Sequence, residues 1–178
     1  MKISIKGLIE IISHEGITLE WYYDSAGVPT IGIGQTKCDD FDPTKQDFIT
    51  LHKVIDLFKE SIKRYTNSLD KLNLDIDQFQ YDALTSFCYN LGAGNLKTLC
   101  RNRSIEEIGN ALMLYINPPE VKSRRVREQA LYQMGEYSCK DGRVLIYPVF
   151  DKKPLFRKGE IIDIRPYFEN NSVDLIVP

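Results

Sequence analysis

Residues 15–35 read EGITLEWYYDSAGVPTIGIGQ, and the fold is decided by how this stretch is read. Ahead of it, Ile5, Leu8, Ile9 and Ile12 fall at i, i+3, i+4 and i+7, which predicts a short amphipathic helix that stops where Gly16 can supply a positive φ. Residues 19–33 are rich in Trp, Tyr, Val, Thr and Ile and are broken by Ser25-Ala26-Gly27, the pattern of a β-hairpin or small antiparallel sheet. Glu15 is then expected at the helix end, Asp24 at the turn and Thr30 on the returning strand. Two carboxylates in one cleft suit acetal cleavage, in which one donates a proton to the leaving oxygen and the other stays ionised and manages water. Each residue also has a plain structural reading. Asp24 can build the turn by bonding its own backbone, and Thr30 is an ordinary strand residue.

The joint spacing favours chemistry. Glu15-Gly16, then Asp24 nine positions on and Thr30 six further, followed by Ile31-Gly32-Ile33-Gly34, resembles the signature of phage-type lysozymes, glycoside hydrolase family 24. Phe79-Gln80-Tyr81-Asp82-Ala83-Leu84 leading into Tyr89-Asn90-Leu91-Gly92, and Arg124-Arg125-Val126-Arg127-Glu128 with Leu131-Tyr132, are similar to later blocks of that family. The resemblance spans roughly residues 4 to 135.

It implies an α+β, lysozyme-like two-lobed fold, with a small antiparallel sheet lobe and a helical lobe joined by a long helix. The expected boundaries are a catalytic domain over residues 1–137, divided into an N-lobe of about 1–45, a connecting helix of about 46–70 and a helical C-lobe of about 71–137. A β-rich extension over 138–178 lies beyond the resemblance. The implied activity is hydrolysis of the β-1,4 bond between N-acetylmuramic acid and N-acetylglucosamine in peptidoglycan. Glu15 would be the general acid, with Asp24 and Thr30 orienting water, an inverting arrangement that needs carboxylates roughly 6.5 to 9.5 Å apart. Gln35, Tyr89, Asn90, Arg124 and Arg125 are the candidate substrate-binding residues, and no metal or cofactor is required. The family usually carries histidine where this chain has Gln35. A lytic transglycosylase and a non-catalytic peptidoglycan-binding module are the competing readings; the first needs only one acid, and the second would not be expected to retain Glu15.

Composition sets the outer bounds. A chain of 178 residues with 43% apolar residues can bury one sizeable core. A net charge of −2 and a pI near 5.8 argue against a whole surface that binds nucleic acid or anionic membrane. Cys38, Cys88, Cys100 and Cys139 match neither a zinc nor a redox spacing and are read as free thiols, one bridge remaining open. Lys6 and Glu10 interrupt any signal-peptide core, and no membrane-spanning stretch follows. The expectation is therefore a monomer made in the cytoplasm that acts in the periplasm or cell wall, reached through a holin or a secretion system and, in the second case, paired with an immunity protein.

Other motifs fail on inspection. A His14-Glu15 zinc motif needs a second histidine where Thr18 stands, so His14 is read as a surface or capping residue; Gly32-Ile33-Gly34 has Lys37 in place of the third dinucleotide glycine. Asp39-Asp40-Phe41-Asp42-Pro43 reads as a loop. Phe48, Leu51, Ile55, Phe58, Ile62, Tyr65 and Leu69 form the seam of the long helix. Ile76 through Leu91 gives a central apolar helix stopped at Gly92, where Tyr89 is either core or groove and Asn90 either cap or ligand. Ser104 with Glu107 predicts a capping box, and Asn117-Pro118-Pro119 ends that helix. Lys122, Arg124, Arg125 and Arg127 form a basic cluster whose plain reading is a solvated helix face shared with Glu128; the reading preferred is that one arginine meets the carboxylates and acetamido sugars of peptidoglycan and another pairs with a buried acid. The tail, RVLIYPVFDKKPLFRKGEIIDI, reads as a β-hairpin that either folds back on the helical lobe or docks a partner.

Overall fold

The computed structural model describes residues 1–38 and 40–169. Asp39 of the expected loop and residues 170–178 of the expected extension lie outside the described residues. The chain divides into two compact units. One holds Met1–Glu15 and Phe58–Lys140; the other holds Gly16–Leu57 and the residues from Asp141 onward. Both units are therefore discontinuous in sequence, unlike the consecutive expected segments.

The first unit is helical. Its α1 runs Ile5–Glu15 and buries Leu8, Ile9 and Ile12, as the stripe predicts, together with Ile11, which the stripe did not include, while Ile5 is 48% exposed because it lies in the first turn. The helix stops at Gly16, whose φ of 73° is left-handed and whose missing Cβ would otherwise stand 2.4 Å from the Tyr147 ring. The long helix α2, Leu51–Asp70, buries Leu51, Ile55, Phe58, Ile62 and Leu69. Phe48 was expected on that seam but precedes the helix and is 60% exposed. The unit boundary falls within α2, between Leu57 and Phe58.

The central helix α3, Gln78–Cys100, starts with an Asp77–Gln80 capping box and is broken at Gly92, where φ 82° and ψ 167° leave helical space. The predicted stop at Gly92 is therefore a kink from which a second helical stretch departs. Leu84, Phe87 and Cys88 on α3 share one core with Leu96, Leu99, Ile108, Leu112, Leu131 and Tyr132. Full burial of a single Leu or Phe there contributes about 1.5–3 kcal/mol. Ser104 and Glu107 form the predicted capping box of α4, Ile105–Ala111. The last helix of the unit, α5, runs Lys122–Met134 and packs against α3.

The second unit is β-rich. Strand β1, Thr18–Tyr23, pairs antiparallel with β2, Pro29–Gly32, placing Tyr22 opposite Thr30. The tail is not one hairpin. Strand β3, Arg143–Ile146, pairs with β6, Glu160–Asp163, and between them β4, Val149–Phe150, pairs with β5, Lys153–Pro154. Nor does it join the helical unit, as one reading of its apolar residues had it. Ile17 N–H donates to Leu145 O at 2.9 Å, Tyr147 N–H to Ile17 O at 2.8 Å and Tyr23 N–H to Lys152 O at 3.1 Å, so the tail lies along β1 within the same unit. Lys152 also sits over the Trp21 ring, 4.0 Å from its centroid.

Candidate active site

In the helical unit the structure gathers Glu15, Asn90, Arg124 and Arg125 around a residue that the sequence had left on a solvated face, Glu128. Glu15 is the last residue of α1, and its side chain is 25% exposed. Arg124, on the first turn of α5, donates from Nη1 to Glu15 Oε1. The rest of that guanidinium is held from behind: Nε donates to Glu128 Oε1 at 3.0 Å, and Nη2 donates to Ser86 O at 3.1 Å and to Ser86 Oγ at 3.3 Å.

Arg125 faces the same acid from the other side. Its Nη1 lies 2.5 Å from Glu128 Oε2, its Nη2 donates to Asn90 Oδ1, and its guanidinium sits 4.9 Å from the centre of the Phe87 ring. Burial pulls the Arg125 pKa down, only partly opposed by Glu128. For Arg124 burial also acts against the charge, but Glu15 and Glu128 together outweigh it and raise the value. Both arginines remain charged, as a guanidinium does in a protein.

This corrects the expectation for Arg125. It has no exposed surface, so it cannot meet a glycan strand; its charge is paired with Glu128 inside the protein. The pairing with a buried acid foreseen for one arginine is made by both. Only Lys122 and Arg127 of the basic cluster are solvated. Asn90 is half-buried, and Arg125 fixes its carbonyl oxygen inward, which directs its amide nitrogen away from that pair. Tyr89 packs edge-on to Phe58 at 5.6 Å and against Tyr65 at 4.8 Å, and burial, followed by the charge of Glu15, pushes its phenol up.

The other candidates stand in the β-rich unit. Asp24 Oδ1 accepts from Ala26 N–H and Val28 N–H, each at 2.8 Å, so the carboxylate builds its own turn, while Oδ2 takes part in neither bond. Thr30 is 3% exposed and donates its hydroxyl to Val28 O at 3.0 Å, leaving its lone pairs as acceptors. Gln35 was expected to touch substrate. It is 7% exposed instead, accepting from Ile33 N–H at 2.7 Å through Oε1, and so braces the turn after β2 from inside.

Three buried acids escaped the sequence reading. Glu128 resembled solvent-facing charge, although its spacing of three and four from Arg125 and Arg124 was the available signal. Glu10 lies between Ile9 and Ile11 and is 1% exposed; it accepts from Ser138 N–H at 2.9 Å, Ser138 Oγ at 2.5 Å and Cys139 N–H at 3.0 Å. His14, expected at the surface or as a cap, has a side chain only 3% exposed, with its Nε2 3.5 Å from Glu10. Asp82, also fully buried, accepts from Ser4 N–H, Tyr137 O–H and Gln78 Nε2. Among the described residues no His, Cys, Asp and Glu cluster is placed to hold a metal, and no helix is long and apolar enough to cross a membrane.

A small antiparallel sheet unit, a helical unit and a Glu-Arg pair at the end of the first helix define a lysozyme-like glycoside hydrolase. The family model for phage lysozyme matches residues 12–117. The chain is 32% identical over 143 residues to the endolysin of Salmonella phage P22, covering 74% of this chain and 98% of that one. Among solved structures it is similar to the endolysin from Escherichia coli O157:H7 phage FAHEc1, at a TM-score of 0.68 and 26% identity over 77% of this chain and 96% of that one. A P22 lysozyme mutant matches at a TM-score of 0.62 and 30% identity, over 74% and 98%. The chain belongs to the phage lysozyme family. It is a lysozyme-type enzyme of cell-wall hydrolysis.

Proposed function

We propose that the protein is a muramidase that cleaves the β-1,4 bond between N-acetylmuramic acid and N-acetylglucosamine of peptidoglycan with inversion. Glu15 gives its proton to the glycosidic oxygen as the bond from that oxygen to the muramic anomeric carbon breaks. Asp24 takes a proton from the water that adds to this carbon, and Thr30 orients the water through its free lone pairs. Asn90 and Tyr89 contact the sugar. The observation that carries this reading is the Arg124–Glu15 contact, which fixes a partly exposed carboxyl at the end of α1 in a chain with the family's Glu, Asp and Thr spacing.

Delivery belongs to the same proposal. As an endolysin the monomer reaches the wall after a holin opens the inner membrane; as a secreted effector it is paired with an immunity protein.

Proton NMR of the first-formed product tests the mechanism. Inversion gives the α-anomer at the new reducing end before mutarotation. An initial β-anomer would show retention and overturn the roles given to Asp24 and Thr30, and 1,6-anhydro ends would mean transglycosylation.

A further inference from the structure

Glu128 is 1% exposed and far too polar for its place, yet none of the proposed chemistry uses it. Its oxygens divide between two arms. Oε1 accepts from Ser86 Oγ at 2.7 Å and from Arg124 Nε at 3.0 Å; Oε2 pairs with Arg125 Nη1. Arg124 then reaches Glu15, and Arg125 reaches Asn90. The proton donor and a sugar-contacting amide are thus joined through one buried carboxylate.

We propose that Glu128 is the positioning residue of the active site, acting on Glu15 through Arg124 and on Asn90 through Arg125. The inference rests on the reading of Glu15 as proton donor. Two physical features support it. The first is geometric: a guanidinium is a rigid planar fork, so once Nε is held by Glu128 and Nη2 by Ser86, the direction of Nη1 toward Glu15 is set. The second is electrostatic. Two arginines and two glutamates cancel in the cluster; without the Glu128 charge, adjacent buried guanidinium groups would repel each other with Glu15 as their only anion. Arg124 would then be drawn off the line that presents Glu15 to the glycosidic oxygen.

A purely structural carboxylate would set stability alone. A positioning carboxylate sets turnover in the folded enzyme, and a misplacement of the order of 1 Å can lower turnover about a hundredfold. The experiment measures kcat and KM on a soluble peptidoglycan fragment, together with thermal melting, for the full chain and for Glu128→Gln, Ser86→Ala, Arg124→Met and the Glu128→Gln/Arg124→Met double variant. Ser86→Ala keeps both charges and removes a hydroxyl, so it reports even where Glu128→Gln fails to fold.

The expected result is a kcat lowered about a hundredfold in folded Glu128→Gln and several-fold in Ser86→Ala. The double variant should lose less than the product of the two single losses, because the arm through Arg124 is shared by both changes while the arm through Arg125 is touched by Glu128→Gln alone. Folded Glu128→Gln or Ser86→Ala with the parent kcat would overturn the inference, as would fully multiplicative losses in the double variant. Glu15→Gln serves as the reference. If that variant retains the parent kcat, the proton-donor reading itself is lost; if it is inactive while Glu128→Gln is fully active, only the positioning role falls.

Discussion

Arg124 on α5 donates to Glu15 at the end of α1 across 109 residues of chain, making the same helix–helix contact both a tertiary fastening and an active-site bond. Glu15 keeps part of its surface in water and Arg124 keeps Glu128 as a second partner, so halving this pair costs less than halving a fully buried one.

Arg125 separates stability from substrate attraction. Arg125→Met strands Glu128 Oε2 and should lower unfolding stability by about 3–5 kcal/mol, measured in urea. The salt dependence of cell-wall lysis should remain that of the parent, because the side chain has no exposed surface. Arg127→Ala should behave oppositely, flattening the salt dependence with little change in melting. A salt effect confined to the Arg125 variant would contradict its assignment.

Glu10 should contribute to acid sensitivity. Burial by itself raises the carboxyl, but the His14 imidazole 3.5 Å away and hydrogen bonds from Ser138 and Cys139 outweigh it and hold the value below the ordinary 4.5. A carboxyl lowered in the folded state adds stability that is complete above the unfolded value and is lost as the pH falls through the folded one. Stability should therefore decline as pH drops below about 4.5, and Glu10→Gln should be less stable at neutral pH with a shallower decline. Melting curves at a series of pH values from neutral to acid decide it; an unchanged slope in the variant would count against the network.

Gln35 is a brace rather than a ligand. Gln35→Ala loses the 2.7 Å bond to Ile33 N–H and should destabilise by about 0.5–1.5 kcal/mol without changing KM. A KM raised severalfold in a variant of normal stability would restore the substrate contact.

The thiols should separate by exposure. Cys38 is exposed, while burial pushes Cys88 and Cys100 up to about 11. A thiol reagent at pH 8 should label Cys38 rapidly and Cys88 and Cys100 only after unfolding. Fast native labelling at Cys88 would contradict the packing of α3.

Local signals carried much of the fold. Gly16 and Gly92 announced their breaks, Ser104 and Glu107 their helix start, and the Glu15, Asp24 and Thr30 spacing its family. Glu10 and Asp82 were invisible for a shared reason: an acid looks solvent-facing until its partners arrive from distant segments, as Ser138 does for Glu10 across 128 residues; Glu128 differs, because its arginines stand three and four residues away and only Ser86 comes from afar. The tail was readable as β but not as part of the β1 unit, because the bonds joining Ile17 to Leu145 and Tyr147 depend on a register that neither segment encodes alone. Gln35 misled for a related reason, since a residue standing at a family's histidine position invites a functional reading while the backbone of its own turn claims the side chain.

Whether Glu15 donates the proton is decided by the turnover of purified peptidoglycan by Glu15→Gln. The amide keeps an oxygen for Arg124 Nη1 to donate to, so the fold should persist with a melting curve close to the parent's, while the proton is gone. Turnover should fall on the order of a thousandfold or more. Activity within tenfold of the parent, from a variant that melts normally, would contradict the account.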